Sequence, residues 1–201
     1  GYLNDEGIIK NSDYSRYSGR ANASYQVNKW VDLYGNLAYS HGEQNAQMIS
    51  SLANYNNTFM FIQSIAPIYP VYAYDKDGNL IRDENGGRIY DFGDGTYGTR
   101  SWGKGQNIVA TDKANKNETL TDQISARAGI NLNILSGLKL SASLSYDLTN
   151  QQNVSIMTPS YGDAKTYNGT GTRYTLRDQT LTGNQLLTYE KKIGNHAFSV
   201  M

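Results

Sequence analysis

Apolar and polar positions alternate residue by residue along three stretches of this chain. In "GRANASYQVNKWVDLYGNLAYS" (19–40), Gly19, Ala21, Ala23, Tyr25 and Val27 alternate with Arg20, Asn22, Ser24 and Gln26. Beyond "QVNKW", Val31, Leu33, Gly35, Leu37 and Tyr39 alternate with Asp32, Tyr34, Asn36 and Ser40. A period of two puts successive side chains on opposite faces of a strand, so each strand has a dry face and a wet one. Ile124, Ala126, Ala128, Ile130, Leu132 and Ile134 repeat the pattern, and after the short turn "LSG" so do Leu138, Leu140, Ala142, Leu144, Tyr146 and Leu148. A third pair surrounds "KKIGN", with Leu181, Gly183, Leu187, Tyr189, Phe198 and Val200 on the dry side. There the alternation is imperfect, because Leu186 falls on the polar side and Gln185 on the other.

These stretches predict strand hairpins over about 14–41, 119–149 and 179–201, with Gly1–Leu3 ending a seventh strand joined to Tyr14 by "NDEGIIKNSD". The connections between hairpins are long, about 42–118 and 150–175. Tight turns at one end and long loops at the other are the asymmetry of a transmembrane β-barrel, and loops of that length are uncommon in compact soluble domains. Aromatic placement points the same way. Tyr17 and Tyr25 share the dry face eight residues apart, which is about 21 Å along the barrel normal at 3.4 Å per residue and a tilt near 40°. Trp30, Tyr39, Tyr146 and Tyr189 repeat the two levels, as membrane-girdle residues would. The competing architecture is a soluble sandwich, whose inner faces also alternate. Gly19, Ala21, Ala23, Gly35, Ala126 and Ala128 are thin filling for such a core, since each buried CH₂ contributes only about 0.8 kcal/mol. The expected fold class is therefore all-β, an antiparallel transmembrane β-barrel segment with long extracellular loops, and all 201 residues belong to that one domain.

Composition narrows the function classes. The 18 basic and 18 acidic residues cancel, which removes the electrostatic footprint of a nucleic-acid binder. There is no cysteine, hence neither a disulfide framework nor a thiolate metal site. No apolar run of about 18 residues predicts a membrane helix, and no signal peptide is visible. The opening "GYLNDEG" reads as the interior of a longer protein. His41 and His196 are the only histidines and lie in different hairpins, as rim residues rather than metal ligands. "GTGTR" (169–173) lacks the lysine and the strand–helix context of a phosphate loop and reads as a turn. No nucleophile–base set has a local signature. The expectation is that the chain is not an enzyme and holds no cofactor.

The long loop carries the remaining candidates. "DKDGN" (75–79) has the carboxylate spacing that opens a calcium loop, but no closing glutamate follows. It reads as a small hairpin turn, with Ca²⁺ near Asp75 and Asp77 the lesser alternative, and "DENGG" and "DFGDG" add acidic turn residues nearby. "TFMFIQSI" (58–65) predicts a short helix capped by Thr58 and ended by Pro67. Tyr69, Tyr72, Tyr74, Tyr90, Phe92, Tyr97 and Trp102 crowd a region rich in Asp, Asn and Gly. Rings beside polar groups suit a sugar or peptide ligand; they equally hold a loop together or dock a partner protein, and sequence does not separate these roles.

Three stretches resemble the SusC/RagA family of TonB-dependent outer-membrane transporters from Bacteroidota: "GYLNDEGIIKNSDYSRYSGRANASYQVNKW" (1–30), "IAPIYPVYAYDKDGN" (65–79) and "LLTYEKKIGNHAFSV" (186–200). The family's Pro-Ile-Tyr-Pro-Val-Tyr segment is matched by Pro67 to Tyr72. The resemblance implies an early-barrel segment, about seven strands of a 22-stranded barrel in the outer membrane of a Gram-negative cell. It implies import of glycan oligosaccharides or peptides, with a SusD-like surface lipoprotein closing over the loops. The plug and the TonB-contacting segment lie outside these residues. Arg20, Asn22, Arg127 and Asn131 would then face the lumen and its plug, and the dry face would meet lipid. Arg20 and Arg127 need partners there, either on the plug or among neighbours such as Asp32 and Asp147. The alternatives from other classes are a soluble or surface-attached β-rich carbohydrate-binding module and a passive porin.

Overall fold

The computed structural model describes residues 1–46 and 57–201. Its strands are β1 (Tyr2–Glu6), β2 (Asp13–Asn28), β3 (Val31–Asn45), β4 (Lys116–Leu135), β5 (Leu138–Met157), β6 (Thr170–Ile193) and β7 (His196–Val200). They form one antiparallel seven-stranded sheet in chain order. The described remainder holds two short helices, α1 (Thr58–Ser64) and α2 (Ile108–Ala114), and a 3₁₀ turn at Asp163–Tyr167. The fold is all-β. Among the described residues no helix is long and apolar enough to cross a membrane, which says nothing of the strands.

The register carries the dry face across the sheet from β2 to β6, interrupted at Gln185. One cross-strand row reads Ala21, Leu37, Ala126, Tyr146, Leu181; the next reads Ala23, Gly35, Ala128, Leu144, Gly183. Further down lie Tyr25, Leu33, Ile130, Ala142 and the anomalous Gln185. Leu186 accordingly sits on the wet face opposite Ser141. A slip of one residue in any pair would move one strand's apolar side chains to the wet face, so alternation excludes odd slips and the two-residue turns fix the rest within each hairpin. On β3 the apolar run from Val31 to Tyr39 spans eight residues, about 21 Å along the normal of a sheet tilted near 40°. Beyond it the same face turns polar in the row His41, Asp122, Asn150, Arg177.

The predicted girdle residues all lie on this face or at its turns. Tyr39 is in the last apolar row, Tyr17 one row beyond it, and Tyr146 one row inside it. Tyr189 pairs with Leu138 at the other edge of the band, and Trp30 lies in the adjacent turn with the Lys29 ammonium 4.6 Å above its ring.

The ladders extend past the predicted hairpins. β3 continues to Asn45, β4 starts at Lys116, β5 runs to Met157 and β6 begins at Thr170. The regular hydropathy alternation stops there, but backbone pairing does not depend on it, and these outer ends are mostly polar, with isolated apolar residues such as Val154, Ile156 and Leu176. "GTGTR" is consequently strand from Thr170 onward, since Gly171 pairs with Ile156 and Arg173 with Val154; only Gly169 belongs to a turn. β1 likewise continues through Asn4 to Glu6, leaving residues 7–12 as its loop.

At the opposite end the connections are residues 29–30, 136–137 and 194–195. Gly137 has φ +85 and its carbonyl accepts from Glu190 N at 2.8 Å, so the β4–β5 turn is pinned against β6 at a position closed to any side chain.

No described residue covers either face of the sheet. Every residue of β2 after Ser15, and all but one of β6, is exposed. Leu37 and Leu144, at the centre of the dry face, are 52% and 54% exposed. The buried apolar side chains are Phe61, Ala73, Ile108, Ala110 and Ala164, and all of them lie in the long connections. The core of the described residues is therefore in the loops.

Candidate functional site

Three connections meet at the long-loop end of the sheet. The Asn115 side chain, at the C-terminal end of α2, accepts from Thr158 N at the end of β5 (2.9 Å). Gln106 Nε2 donates to Asp163 Oδ1 (3.2 Å), and the Phe92 and Tyr161 rings meet at 5.3 Å. Asn11 Nδ2, in the β1–β2 loop, donates to the Asp112 carbonyl (2.7 Å). Segments far apart in sequence thus form one module, which the sequence reading did not anticipate.

Residues 72–95 are its centre: "YAYDKDGN", "LIRDENGG" and "RIYDFGDG", three octapeptides each with Asp at the fourth position. The fold closes them into a ring. Ala73 N donates to Ile89 O, Ile81 N to Ala73 O and Ile89 N to Ile81 O, at 2.9, 3.0 and 3.3 Å. Antiparallel bridges join Tyr74 to Leu80, Arg82 to Arg88 and Tyr90 back to Tyr72. Each aspartate organises its own turn. Asp75 Oδ1 accepts from the amides of Asp77 and Asn79, Asp83 Oδ1 from those of Asn85 and Gly87, and Asp91 Oδ1 from that of Gly93. Asx turns of this kind are what Asp and Gly favour. The backbone bonds from Asn79 hold the Asp75 carboxyl below the usual carboxylate range. "DKDGN" is thus a turn whose first carboxylate serves its own backbone. The eight-residue spacing was legible in the sequence, and a search for internal repeats was the step that would have found it.

Asn107 locks this ring to α2. Its Nδ2 donates to the carbonyls of Val71 and Asp91, each at 2.8 Å, while its Oδ1 accepts from Ala110 N as the helix N-cap. α1 is capped in the same way by Asn57, whose Oδ1 accepts from Met60 N. Thr58, predicted as the cap, is the first helical residue, and its hydroxyl donates to the Asp112 carboxylate at 3.0 Å instead. The correction follows from geometry: a cap oxygen must reach the amide three residues on from an extended backbone, which Asn57 has.

The aromatic candidates divide between two positions. Tyr72 stacks on Tyr90 at 5.3 Å under the Arg88 guanidinium, Phe92 meets Tyr161, and Trp102 packs on the buried Phe61 at 5.1 Å. Tyr74 and Tyr97 are exposed. Tyr69 lines a groove of about 520 Å³ between α1, residues 65–71 and the start of α2, with Arg100 among its walls.

On the sheet, Arg20, Asn22, Arg127 and Asn131 share the wet face. Arg127 donates to Ser143 Oγ at 3.2 Å, Asp147 accepts from Ser125 Oγ, and neither arginine pairs with an acid among the described residues. Arg20 borders a cavity of about 660 Å³ on that face with Ser40, Gln123 and Asp147. On the other face, at the rim, Asp122 Oδ1 lies 2.8 Å from His41 Nδ1 and accepts from the Tyr39 hydroxyl at 2.7 Å.

No family model and no curated protein matches the chain. Solved structures do. The chain superposes on the RagAB peptide transporter with a TM-score of 0.63 at 19% identity, covering 96% of this chain. The RagAB peptide importer gives 0.66 at 20% identity in its "open-open" state and 0.62 at 19% in its "closed-closed" state, covering 98% and 96% of this chain. The fold is shared with these chains. This chain spans 20% of the length of each.

Asp112 makes the module sensitive to pH. Burial raises its carboxyl to about 6, with the Thr58 hydroxyl bond opposing. The folded module therefore favours the neutral acid. The contribution to stability is full below the unfolded value of 3.8 and is lost as pH rises through about 6. Asp112→Asn keeps an acceptor for Thr58 and removes the penalty. In the full-length protein at pH 7.5, proteolysis within 57–115 should slow by roughly fivefold, a figure discounted for the group's partial exposure. The difference from the parent should vanish near pH 4.

Proposed function

We propose that this chain is a wall segment, with its extracellular vestibule, of an outer-membrane transporter that imports peptides or glycan oligosaccharides. The observation that carries this is a sheet that no described residue covers on either face, with an apolar band on one, interrupted at Gln185, and mostly polar residues on the other. In water that band would be an aggregation surface. Against lipid it is the expected exterior of a barrel, about the height of a membrane's apolar band. The free edges of β1 and β7 would continue into further strands, since an open edge has no partner in lipid. Arg20, Asn22, Arg127 and Asn131 would face a lumen, where carboxylates of a plug would pair with the two arginines. The loop module would then stand outside the membrane, with Tyr74 and Tyr97 offered to a substrate or to a SusD-like lipoprotein. Coupling to TonB would run through a plug outside these residues. The fold shared with the RagAB peptide importer supports peptides as the first substrate class to test.

The test combines location with uptake. An antibody against residues 160–171 should label intact cells and detect an outer-membrane polypeptide several times larger than 22.3 kDa. Deleting the gene should abolish growth on the imported peptide or oligosaccharide mixture, and removal of TonB should do the same. A band in a soluble fraction would overturn the barrel reading. Uptake that survives loss of TonB would make the protein a passive porin.

A further inference from the structure

The groove beside α1 has an unusual floor. Its walls are mainly apolar, with Ile62, Ile65 and Val71 among them, and Gln63, Tyr69 and Asn107 supply polar groups. Its volume of about 520 Å³ is that of a small-ligand pocket. Arg100 lines it while only 4% exposed. The guanidinium donates from Nε to the Gly103 carbonyl at 3.2 Å and from Nη2 to the Gln106 carbonyl. Both acceptors are neutral. No carboxylate among the described residues lies within ion-pair distance; Asp91 and Asp94 act on Arg100 only from beyond 4 Å. Residues 47–56, outside the description, contain no Asp or Glu at all. A buried cation with neutral partners is costly unless an anion completes it, and a guanidinium suits a carboxylate in particular.

We infer that this groove is a subsite for the C-terminal residue of an oligopeptide, with Arg100 taking the α-carboxylate and the apolar walls taking a side chain such as leucine. Charge complementarity favours this occupant over a neutral sugar, because among the described residues no carboxylate lies within 4 Å of the Arg100 guanidinium. The inference rests on the import reading and names the chemistry of its substrate. Residues 65–71 supply one wall and α2 the other, so the Asn107 lock on Val71 also sets the width of the groove.

The full-length transporter, purified with any lipoprotein that accompanies it, would be titrated calorimetrically with Gly-Ser-Gly-Ser-Leu and with its C-terminal amide. The free acid should bind about tenfold more tightly, the scale of one charge-assisted contact. Arg100→Gln should bring the ratio to within about twofold, and Arg100→Lys should restore part of it. Ala66 also lines the groove, so Ala66→Trp should weaken the Leu-ended acid more than a Gly-ended one. Equal affinity for acid and amide in the parent protein would overturn the inference without any variant. Transporter-dependent uptake of both forms alike would leave import standing and remove only this subsite. Absence of transporter-dependent binding and uptake of either form would remove peptide import, and the subsite with it.

Discussion

Leu144→Arg should prevent assembly of the full-length protein in the outer membrane. Leu144 is at mid-height of the dry face, between Ala128 and Gly183, which are too small to shield it. An arginine facing lipid at that depth costs about 2–4 kcal/mol, a large fraction of a marginal folding free energy. The flanking alanine and glycine give its long side chain little cover, so relief would have to come from snorkelling toward the headgroups. Thr182→Arg is the matched control. Thr182 is the neighbour of Gly183 along β6, exposed, and on the opposite face opposite Ser145. It should assemble normally, giving an outer-membrane band that still shifts on heating. Equal loss for both variants would mean that the dry face does not meet lipid. Equal tolerance would mean the same.

Asn107→Asp should destabilise the loop module more than Asn107→Ala. If Asn107 acted only as a helix cap, aspartate would serve as well as asparagine and alanine would cost about 1 kcal/mol. The structure assigns it a second task, because Nδ2 holds two carbonyls in a buried position. Alanine leaves the Asp91 carbonyl without this donor, at about 1–3 kcal/mol, while the Val71 carbonyl keeps the Asp91 amide. Aspartate in addition aims a buried carboxylate oxygen at them, for which a total near 3–5 kcal/mol is the expected scale. Hydrogen exchange in the full-length protein reads this directly. The amides of Ala73, Ile81, Ile89 and Asp91 bond within the ring or to Val71, and they should lose protection in the order parent, Ala, Asp. Strand amides such as those of β4 should be unchanged. An aspartate variant with parental protection would reduce Asn107 to a cap.

The loop module also shows why sequence and structure contribute differently here. Turn chemistry is local, and "DKDGN" and "DENGG" announced their turns because Asp and Gly satisfy those backbones within a few residues. Closure of three turns into one ring is not local. It depends on Ile89 returning to Ala73 across sixteen positions, and the clue was a repeat rather than a motif. The Thr58 cap failed for a related reason. Thr and Asn are both good caps, and only the backbone angles at Asn57 show where the helix begins. Arg100 was invisible as a site residue, since an arginine in "TYGTRSWG" reads as solvated until burial removes the water.

Alternation alone determined the central strands and their faces, because a side-chain period of two puts every second residue on the same side; it excludes pairings slipped by one residue but not by two, and the short turns fix the rest within each hairpin. The same pattern showed the asymmetry of short turns and long connections and the thinness of the dry face. Tertiary structure decided how far the strands run, since ladder hydrogen bonds continue where hydropathy carries no signal. It alone placed the buried core in the loops, through contacts between segments dozens of residues apart. It alone buried Arg100 with no carboxylate within 4 Å among the described residues, because burial is a property of everything packed around a residue and not of its neighbours in the chain.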